Sequence, residues 1–299
     1  MMSAGAGQIL LAAALWGTTG TTMALAPAGA EPLGTGALRL LLGGSVLALV
    51  AWARGDFQQV GHLPLRLLAG AGLMVAAYQV CFFFGVARNG VAPGTLLTAG
   101  SAPMLAGVLE WHLFRKRPDR RWFLATALAL VGCILLLLPA TNPGHNLDAP
   151  GMLLSLGAGL AWALYALASK RLLVELPPNA VVAAIFLPGA LFLLPVLLLV
   201  DTGWVLQPAG LLVILHLGLV TTALAYLLFA RGLRMVSAAT AVTLVLAEPL
   251  VASLLAVFLL GERYGGRNLA GLLALAAGLV LLSLPAAASR KASHGPPVS

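Results

Sequence analysis

Long apolar runs recur along the whole chain and are separated by short segments that hold most of the charged residues. A helix that crosses a bilayer needs about 20 mostly apolar residues, and ten runs reach that length. The sequence therefore predicts an all-α membrane protein of ten transmembrane helices. The predicted spans cover residues 8–26, 33–53, 65–87, 93–114, 122–139, 151–169, 179–200, 210–230, 237–260 and 268–287.

The composition excludes a soluble globular protein. Hydrophobic residues make up 61% of the chain and charged residues 9%, which leaves too little polar surface to cover a water-soluble domain. No polar segment is long enough for a separate aqueous domain, so we expect one membrane domain.

Ala28-Gly29-Ala30 resembles a signal-peptide cleavage site, but no Lys or Arg precedes the first run, which favours a helix of the mature protein.

The positive charges indicate membrane orientation. The formal net charge is +8, yet Lys and Arg occur singly or in short groups, without the basic stripe that binds nucleic acid. Thirteen of the 17 lie on the face that holds both chain ends, and three lie on the opposite face. Cytoplasmic loops carry such an excess, which predicts that both termini are cytoplasmic. Residues 289–299 are polar enough to form a disordered cytoplasmic tail.

An internal repeat relates the two halves of the chain at an offset of 146 residues, without a gap from the fourth span onward. The matching residues are Trp16 and Trp162, Gly72 and Gly218, Arg88 and Arg234, Ala92 and Ala238, Pro103 and Pro249, Leu113 and Leu259, Arg117 and Arg263, Arg121 and Arg267, Gly132 and Gly278, and Pro139 and Pro285. We therefore predict a five-helix repeat in 1–140 and another in 141–288. Because five is odd, the second repeat must be inverted in the membrane.

An inverted repeat is typical of proteins that work by alternating access. Two halves that exchange conformations produce inward-open and outward-open states of similar energy around one central site. We therefore expect a secondary transporter that interacts with the lipid bilayer and a small-molecule substrate. A monomer is compatible with this mechanism, and the sequence does not determine the oligomeric state.

Several motifs resemble the EamA branch of the drug/metabolite transporter superfamily. They are Leu15-Trp16-Gly17, Arg39-Leu40-Leu41-Leu42, Ala161-Trp162-Ala163, Ala247-Glu248-Pro249 and Leu260-Gly261-Glu262-Arg263. The resemblance covers nearly the whole chain and implies ten helices around a central cavity. Within the family the sequence is most similar to YddG-type exporters of aromatic and other neutral amino acids, and this resemblance implies the cytoplasmic (inner) membrane of a bacterium. It departs from the family at Phe114-Arg115-Lys116-Arg117, where the first half lacks the acid of the usual Leu-Gly-Glu-Arg turn.

Aromatic residues in the middle of spans are candidates for the substrate site. Trp16 and Trp162 either stack on a substrate or pack helices together, and the sequence leaves both interpretations open. Tyr78, Tyr165 and Tyr226 add hydroxyls at comparable depths. Gln79 would bind a substrate or form an interhelical hydrogen bond.

Hydroxyl residues near two mid-span prolines form a second group of candidates. Thr98, Ser101 and Thr243 precede Pro103 and Pro249, which leave backbone carbonyls without helical partners. Those carbonyls would meet a substrate ammonium group or be satisfied by neighbouring side chains. The matching positions of the two prolines predict hinge points.

Glu248 is the costliest residue in the predicted spans, because an acid in hydrocarbon is unfavourable without a partner. Arg39 lies inside the second span, so an ion pair or hydrogen-bonded network would give both residues a structural role. Proton coupling through Glu248 is the other interpretation. The matching position in the first half is Ala102, and we therefore expect facilitative transport with Glu248 structural.

No other residues suggest catalysis or metal binding. Cys81 and Cys133 lie in apolar runs and are expected to be small hydrophobic residues, and His112 and His216 lack ligands at metal spacing. The sequence contains no nucleophile motif, phosphate loop or catalytic carboxylate pair, so we expect neither an enzyme nor a cofactor. The alternatives are an exporter of cationic drugs or other metabolites that uses Glu248 for proton coupling, and, less favoured, a membrane-embedded enzyme.

Overall fold

The computed structural model describes residues 3–58, 64–137, 148–260 and 265–284, and within these ranges the chain is helical without β-strands. The helices are α1 (Ala4–Gly17), α2 (Thr19–Ala24), α3 (Pro32–Ala53), α4 (Leu65–Asn89), α5 (Val91–Phe114), α6 (Arg120–Leu137), α7 (Ala149–Leu172), α8 (Pro178–Leu197), α9 (Pro208–Leu215), α10 (Ala225–Met235), α11 (Ala238–Leu244), α12 (Ala247–Leu260) and α13 (Gly266–Ser283). A 3-10 helix at Gly203–Leu206 precedes α9, and a π-helical segment at His216–Leu224 joins α9 to α10. The predicted tail at 289–299 lies outside the described residues.

Seven helices in the described part of the chain are long and apolar enough to cross a membrane. They are Pro32–Ala53, Leu65–Asn89, Ala149–Leu172, Pro178–Leu197, Pro208–Met235, Ala238–Leu259 and Gly266–Ser283. The predicted spans 8–26 and 93–114 overlap α1–α2 and α5, and span 122–139 overlaps α6 up to Leu137, with residues 138–139 outside the described residues. These helices are not among the seven. The chain therefore has several apolar helices of spanning length, and the total of ten stays a prediction.

Three of the predicted spans are interrupted helices. A break at Thr18 separates α1 from α2, and the Thr18 hydroxyl donates to the Leu15 carbonyl at 2.7 Å. In the π-helical segment, the hydroxyls of Thr221 and Thr222 donate to the same carbonyl, that of Leu217, at 2.9 and 2.8 Å. A turn between Leu244 and Ala247 separates α11 from α12. Hydropathy reports apolar length and not backbone geometry, so the sequence pattern did not predict these interruptions.

The two prolines expected to be matching hinges occupy different backbone settings. Pro103 lies inside the continuous helix α5, whereas Pro249 is the third residue of α12 and follows the turn that separates it from α11. The first turn of a helix accepts proline because its N–H groups have no intrahelical partners. The helix is therefore interrupted beside Pro249 but not beside Pro103.

The contact between α6 and α13 follows the 146-residue offset. Gly132 lies against Gly271, and Gly278 lies against Ala125, so the two helices run antiparallel. A Cβ on Gly132 would lie 2.7 Å from the Gly271 carbonyl oxygen, and one on Gly278 would lie 2.6 Å from the Ala125 carbonyl oxygen. Glycine is required at both positions because the opposing atoms belong to backbone and cannot move aside. Gly132 and Gly278 are 146 residues apart, and so are Ala125 and Gly271, so the two contacts are equivalent in the two halves.

Further helix contacts are exchanged by the same offset. Gly72 of α4 faces Gly189 of α8, and Gly218 of the π-helical segment faces Gly43 of α3. Helix α4 packs against α7, and their counterparts α10 and α1 pack against each other. Two sets of contacts that one offset exchanges are the pattern expected for halves related by a two-fold axis.

A polar cluster also connects the end of α4 to the start of α7. Arg88 Nε donates to the Asp148 carboxylate at 2.5 Å, and that carboxylate accepts a hydrogen bond from the Gly151 amide at 3.0 Å, which caps α7. The Asn89 side chain donates to the Asp148 carbonyl at 3.1 Å and accepts from the Asp148 amide at 2.7 Å. The hydrogen bond from Arg88 lowers the pKa of Asp148, so the capping carboxylate is ionised at neutral pH.

Candidate functional site

A cavity of about 660 Å³ lies between the two halves of the chain. Its wall combines residues of α1 to α5, α7, the π-helical segment and α10 to α12. The cavity extends to Met23, Pro32 and Val91, near the end of α2 and at the starts of α3 and α5. Because α1 and α2 run from the N-terminus toward these residues, the mouth of the cavity faces away from the N-terminus.

The opposite end of the cavity is formed by a cluster of rings, which we call the aromatic cluster. Its members are Trp16, Tyr78, Trp162, Tyr165, Phe186, Tyr226 and Phe229. The ring centroids of Trp16 and Trp162 are 5.5 Å apart in an edge-to-face arrangement, and those of Trp16 and Tyr226 are 4.8 Å apart. The matching tryptophans of the two halves therefore meet at the inner end of the cavity.

The π-helical segment fixes the orientation of Trp16. The indole Nε1 donates to the Thr221 carbonyl at 2.7 Å, and this hydrogen bond is buried. A π-helical backbone displaces carbonyls from their usual α-helical partners, and such segments are frequent at functional sites. The acceptor for Trp16 thus lies in the irregular backbone segment.

Arg39 and Gln79 form the polar part of the wall on α3 and α4. Arg39 Nη2 donates to Gln79 Oε1 at 3.1 Å, and Gln79 Nε2 donates to the Gly36 carbonyl at 3.3 Å. Arg39 Nε is buried and has no hydrogen-bond partner among the described residues. Both side chains line the cavity, so the Gln79 amide holds a guanidinium group that keeps further donors available.

Glu248 also lines the cavity, from the first turn of α12. The expected ion pair with Arg39 is absent, because the ion pairs within 4.0 Å among the described residues are Arg88 with Asp148 and Arg171 with Glu175. The interruption between α11 and α12 places Glu248 at the start of a helix. The hydrogen-bonded network predicted around Arg39 therefore includes Gln79 instead of Glu248.

The other predicted site residues divide between the cavity wall and the surrounding packing. Thr98 lines the cavity, but its hydroxyl donates to the Ser155 carbonyl at 3.0 Å. Thr243 lies outside the cavity wall, where it accepts a hydrogen bond from Trp122 Nε1 at 3.1 Å. Ser101 and Tyr165 lie outside the wall as well. The structure thus brings Trp16, Tyr78, Gln79, Thr98, Trp162, Tyr226, Pro249, Arg39 and Glu248 to one cavity.

Sequence reasoning missed the phenylalanines on α4 that line the cavity. Phe82 stacks on Tyr78 with a centroid distance of 5.7 Å, and Phe83 contacts Phe82 at 5.4 Å. The spacing of four residues between Tyr78 and Phe82 places both on one helix face and was a usable signal. Phenylalanine carries no polar group, so composition alone does not distinguish Phe82 from a lipid-facing residue.

Two charged side chains hold the turn between α10 and α11 on the face opposite the cavity mouth. Lys170 Nζ donates to the carbonyls of Leu233, Arg234 and Val236 at 2.7, 3.2 and 2.6 Å. The Glu110 carboxylate accepts hydrogen bonds from the amides of Ala238 and Ala239, which start α11, at 3.0 and 2.8 Å. A cation at a helix end and an anion at the next helix start both complement the helix dipoles. We call this arrangement the Lys170–Glu110 clamp.

The described residues contain no group of three His, Cys, Asp or Glu side chains that could hold a metal ion. Cys81 and Cys133 are free thiols in this part of the chain. His216 Nε2 lies 2.8 Å from the Thr18 hydroxyl, where it links the break in α1–α2 to the π-helical segment. This histidine thus contributes to packing near the cavity.

Comparison with known proteins gives the family. The model of the EamA-like transporter family matches residues 3–138 and again residues 149–284. The chain belongs to the EamA-like transporter family. It is therefore a multi-pass membrane transporter built from a tandem repeat, and its family points away from an enzyme. The two matched segments begin 146 residues apart, the same offset that relates the helix contacts.

Three relatives of this EamA-like transporter each match more than four fifths of its length. It is 45% identical to the "Uncharacterized transporter YwfM" of Bacillus subtilis over 95% of this chain and 94% of that protein. It is 30% identical to a "Probable amino-acid metabolite efflux pump" of Salmonella typhimurium, over 81% and 84% of the two chains. It is 31% identical to the "Threonine/homoserine exporter RhtA" of Salmonella typhimurium, over 82% and 79%. A crystal structure with 22% identity has the same fold, with a TM-score of 0.80 over 94% of this chain and 96% of that one.

Proposed function

We propose that this protein exports small zwitterionic metabolites, in particular aromatic and other neutral amino acids, by facilitative alternating access. The observation that carries the proposal is the cavity between the halves, which has an aromatic inner end and both a basic and an acidic side chain in its wall. Pockets of a few hundred Å³, mostly apolar with a few polar groups, are typical of small-molecule sites. The relatives named as an amino-acid metabolite efflux pump and a threonine/homoserine exporter support this substrate class.

The proposed topology has ten transmembrane helices in two inverted repeats, with both termini in the cytoplasm of a bacterium. The charge excess on the face of the termini supports the orientation. The antiparallel contact between α6 and α13 supports inversion, because a two-fold axis that relates antiparallel helices lies perpendicular to them and hence in the membrane plane. With this orientation, the cavity opens to the outside of the cell.

The proposed transport cycle exchanges the conformations of the two halves. In the state described here the aromatic cluster and the Lys170–Glu110 clamp lie between the cavity and the cytoplasm. An inward-open state would release the clamp and close the mouth where Met23, Pro32 and Val91 lie. The helix contacts described above have equivalents in the other half at the 146-residue offset. The two states can therefore have similar energies.

Export of cationic compounds with proton coupling is the alternative that one observation favours. Glu248 lines the cavity without an ion-pair partner among the described residues, as a cation site would require. Arg39 in the same cavity opposes this function, because its fixed positive charge repels a cationic substrate. A substrate with one charge of each sign fits the pair better.

Transport by purified protein in proteoliposomes tests the proposal. Four labelled amino acids would be added to the solution outside the vesicles, with and without a pH gradient. They are L-phenylalanine, L-tryptophan, L-leucine and L-threonine. We expect saturable uptake of at least one amino acid that stops at equal concentrations inside and outside, because facilitative transport follows only the substrate gradient. Empty vesicles provide the background rate.

Two outcomes would contradict the proposal in distinguishable ways. Accumulation above the outside concentration only when a pH gradient is present would replace facilitative transport with proton coupling. Transport of a lipophilic cation such as tetraphenylphosphonium, with none of the four amino acids transported, would replace the substrate class.

A further inference from the structure

The cavity wall carries a basic and an acidic side chain that form no direct ion pair with each other. Arg39 on α3 and Glu248 on α12 both line the cavity, and their charged atoms are more than 4.0 Å apart. An ionised side chain inside the membrane is unfavourable unless a partner or a water-filled cavity compensates it. A ligand that meets both charges would supply that compensation.

The guanidinium group of Arg39 is positioned for an anion. The Gln79 amide oxygen accepts a hydrogen bond from Arg39, and the Gln79 amide nitrogen donates one to the Gly36 carbonyl. The fixed Gln79 side chain therefore limits rotation of the guanidinium group. Nε is buried without a partner among the described residues. A guanidinium group has five donors in a fixed fork and binds carboxylates in a bidentate way. The unpartnered donor is therefore the kind of group that a ligand carboxylate would satisfy.

Glu248 is positioned for a cation. No hydrogen bond or ion pair links its carboxylate to another described residue, whereas the buried carboxylate of Glu110 accepts two amide hydrogen bonds. Its backbone packs closely against α1 at Gly17. A Cβ on Gly17 would lie 2.9 Å from the Glu248 carbonyl oxygen and 2.8 Å from Val251 Cβ, so this contact fixes the position of the Glu248 backbone. The side chain thus projects from a fixed backbone into a cavity where its oxygens have free acceptor capacity.

We propose that Arg39 binds the carboxylate and Glu248 the ammonium group of one α-amino acid, whose side chain lies toward the aromatic cluster. This inference deepens the proposed function and rests on it. The site then has no net charge, with a positive group at one end and a negative group at the other. It therefore binds a zwitterion better than a molecule with a single charge. Tyr78, Trp162 and Tyr226 in the same wall offer apolar ring surface to the substrate side chain.

Binding of amino acids and of analogues that lack one charge tests the inference. The ligands are L-phenylalanine, phenethylamine and 3-phenylpropionate, together with L-leucine, isopentylamine and 4-methylpentanoate, measured by calorimetry on purified protein in lipid nanodiscs at pH 7. Arg39→Gln should weaken amino-acid binding about tenfold or more and strengthen binding of the amines, since it leaves Glu248 as the single charge. Glu248→Gln should weaken amino-acid binding similarly and strengthen binding of the acids.

Matched variants control for the loss of a charge as such. Arg54→Gln removes an arginine from the exposed end of the same helix α3, and Glu175→Gln removes an exposed glutamate after α7. Both should bind all six ligands as the wild type does. If a neutral variant does not fold, Arg39→Lys and Glu248→Asp keep the charges and should still prefer the amino acids over both kinds of analogue.

The opposite preference of the two variants is a result that a structural role would not produce. If Arg39→Gln and Glu248→Gln remain folded and weaken all ligands equally, or none, the assignment of these residues is wrong while the proposed function stands. If Arg39→Lys or Glu248→Asp binds the analogues better than the amino acids, the assignment is wrong as well. If the wild type neither binds nor transports any of the amino acids tested, both the inference and the proposed substrate class fail.

Discussion

Single residues show how far the sequence predicts a membrane site. The position of Trp16 in the middle of an apolar run indicated a ring near the centre of the protein, and the structure places it in the aromatic cluster. Its hydrogen-bond partner was not predictable, because the Thr221 carbonyl lies in a π-helical segment on a distant helix, which hydropathy does not indicate. Arg39 was expected beside Glu248 but bonds to Gln79, since sequence alone does not specify which helices are neighbours.

Replacement of Trp16 by phenylalanine should lower the free energy of unfolding by about 1–3 kcal/mol, because it leaves the buried Thr221 carbonyl without its indole donor. Denaturant unfolding of the purified protein in detergent measures the change. Trp52→Phe makes the same substitution at a side chain that is 75% exposed and should have almost no effect. Equal effects of the two substitutions would show that the hydrogen bond does not stabilise the fold.

At the scale of helices, hydropathy predicted the positions of apolar segments well but not their internal geometry. The predicted span 33–53 corresponds to α3 at Pro32–Ala53, and the predicted span 65–87 to α4 at Leu65–Asn89. The interruptions at Thr18, in the π-helical segment and before Ala247 depend on local hydroxyl bonds and tertiary contacts, which a hydropathy average does not contain. Those interruptions nevertheless determine where Trp16 and Glu248 point.

The glycine contacts between α6 and α13 give a prediction for this helix pair. Gly132→Ala and Gly278→Ala should each lower the free energy of unfolding by about 1–3 kcal/mol, because the new methyl groups would overlap backbone atoms of the opposite helix. The two losses should be similar, since the repeat offset exchanges the two positions. Thermal unfolding in detergent, followed by tryptophan fluorescence, measures them.

Gly70→Ala is the matched control for these substitutions. A Cβ at Gly70 of α4 has no other atom within 4 Å, and alanine favours the helix over glycine by up to about 1 kcal/mol. We therefore expect a neutral or slightly stabilised protein. If all three substitutions have the same effect, close approach of α6 and α13 is not what the glycines provide.

At the scale of the whole molecule, the Lys170–Glu110 clamp makes the two faces of the protein unequal. The matching positions in the other half are Ala24 and Ala256, which cannot form the same hydrogen bonds. In the proposed transport cycle, the clamp would therefore stabilise one of two otherwise similar states, the one in which the cavity opens away from the N-terminus. An equilibrium between states shifts by the difference in free energy that such contacts contribute.

Lys170→Met should increase the population in which the mouth of the cavity is closed, by about tenfold relative to the open one, because three carbonyls lose a charged donor. Spin labels at Leu25 and Val91, both exposed near the mouth, report its width by electron paramagnetic resonance. Cys81→Ser and Cys133→Ser remove the free thiols beforehand.

The neighbouring substitution Arg171→Met is the control for this experiment. Arg171 is also basic but pairs at 3.3 Å with Glu175 one turn later, and an exposed pair of this kind contributes little. Its removal should leave the distance distribution unchanged. A distribution that Lys170→Met leaves unchanged as well would show that the clamp does not bias the two states.

Covalent fusion of the two matched segments has a consequence for the symmetry of the binding site. Two identical half-length chains related by a two-fold axis would carry every charge twice and would hold a ligand equally well in either direction. In the fused chain, Arg39 matches Ile185 and Glu248 matches Ala102, so each charge occurs once. A substrate held between these two side chains, as proposed, would have one allowed head-to-tail direction, which a site with every charge doubled could not impose.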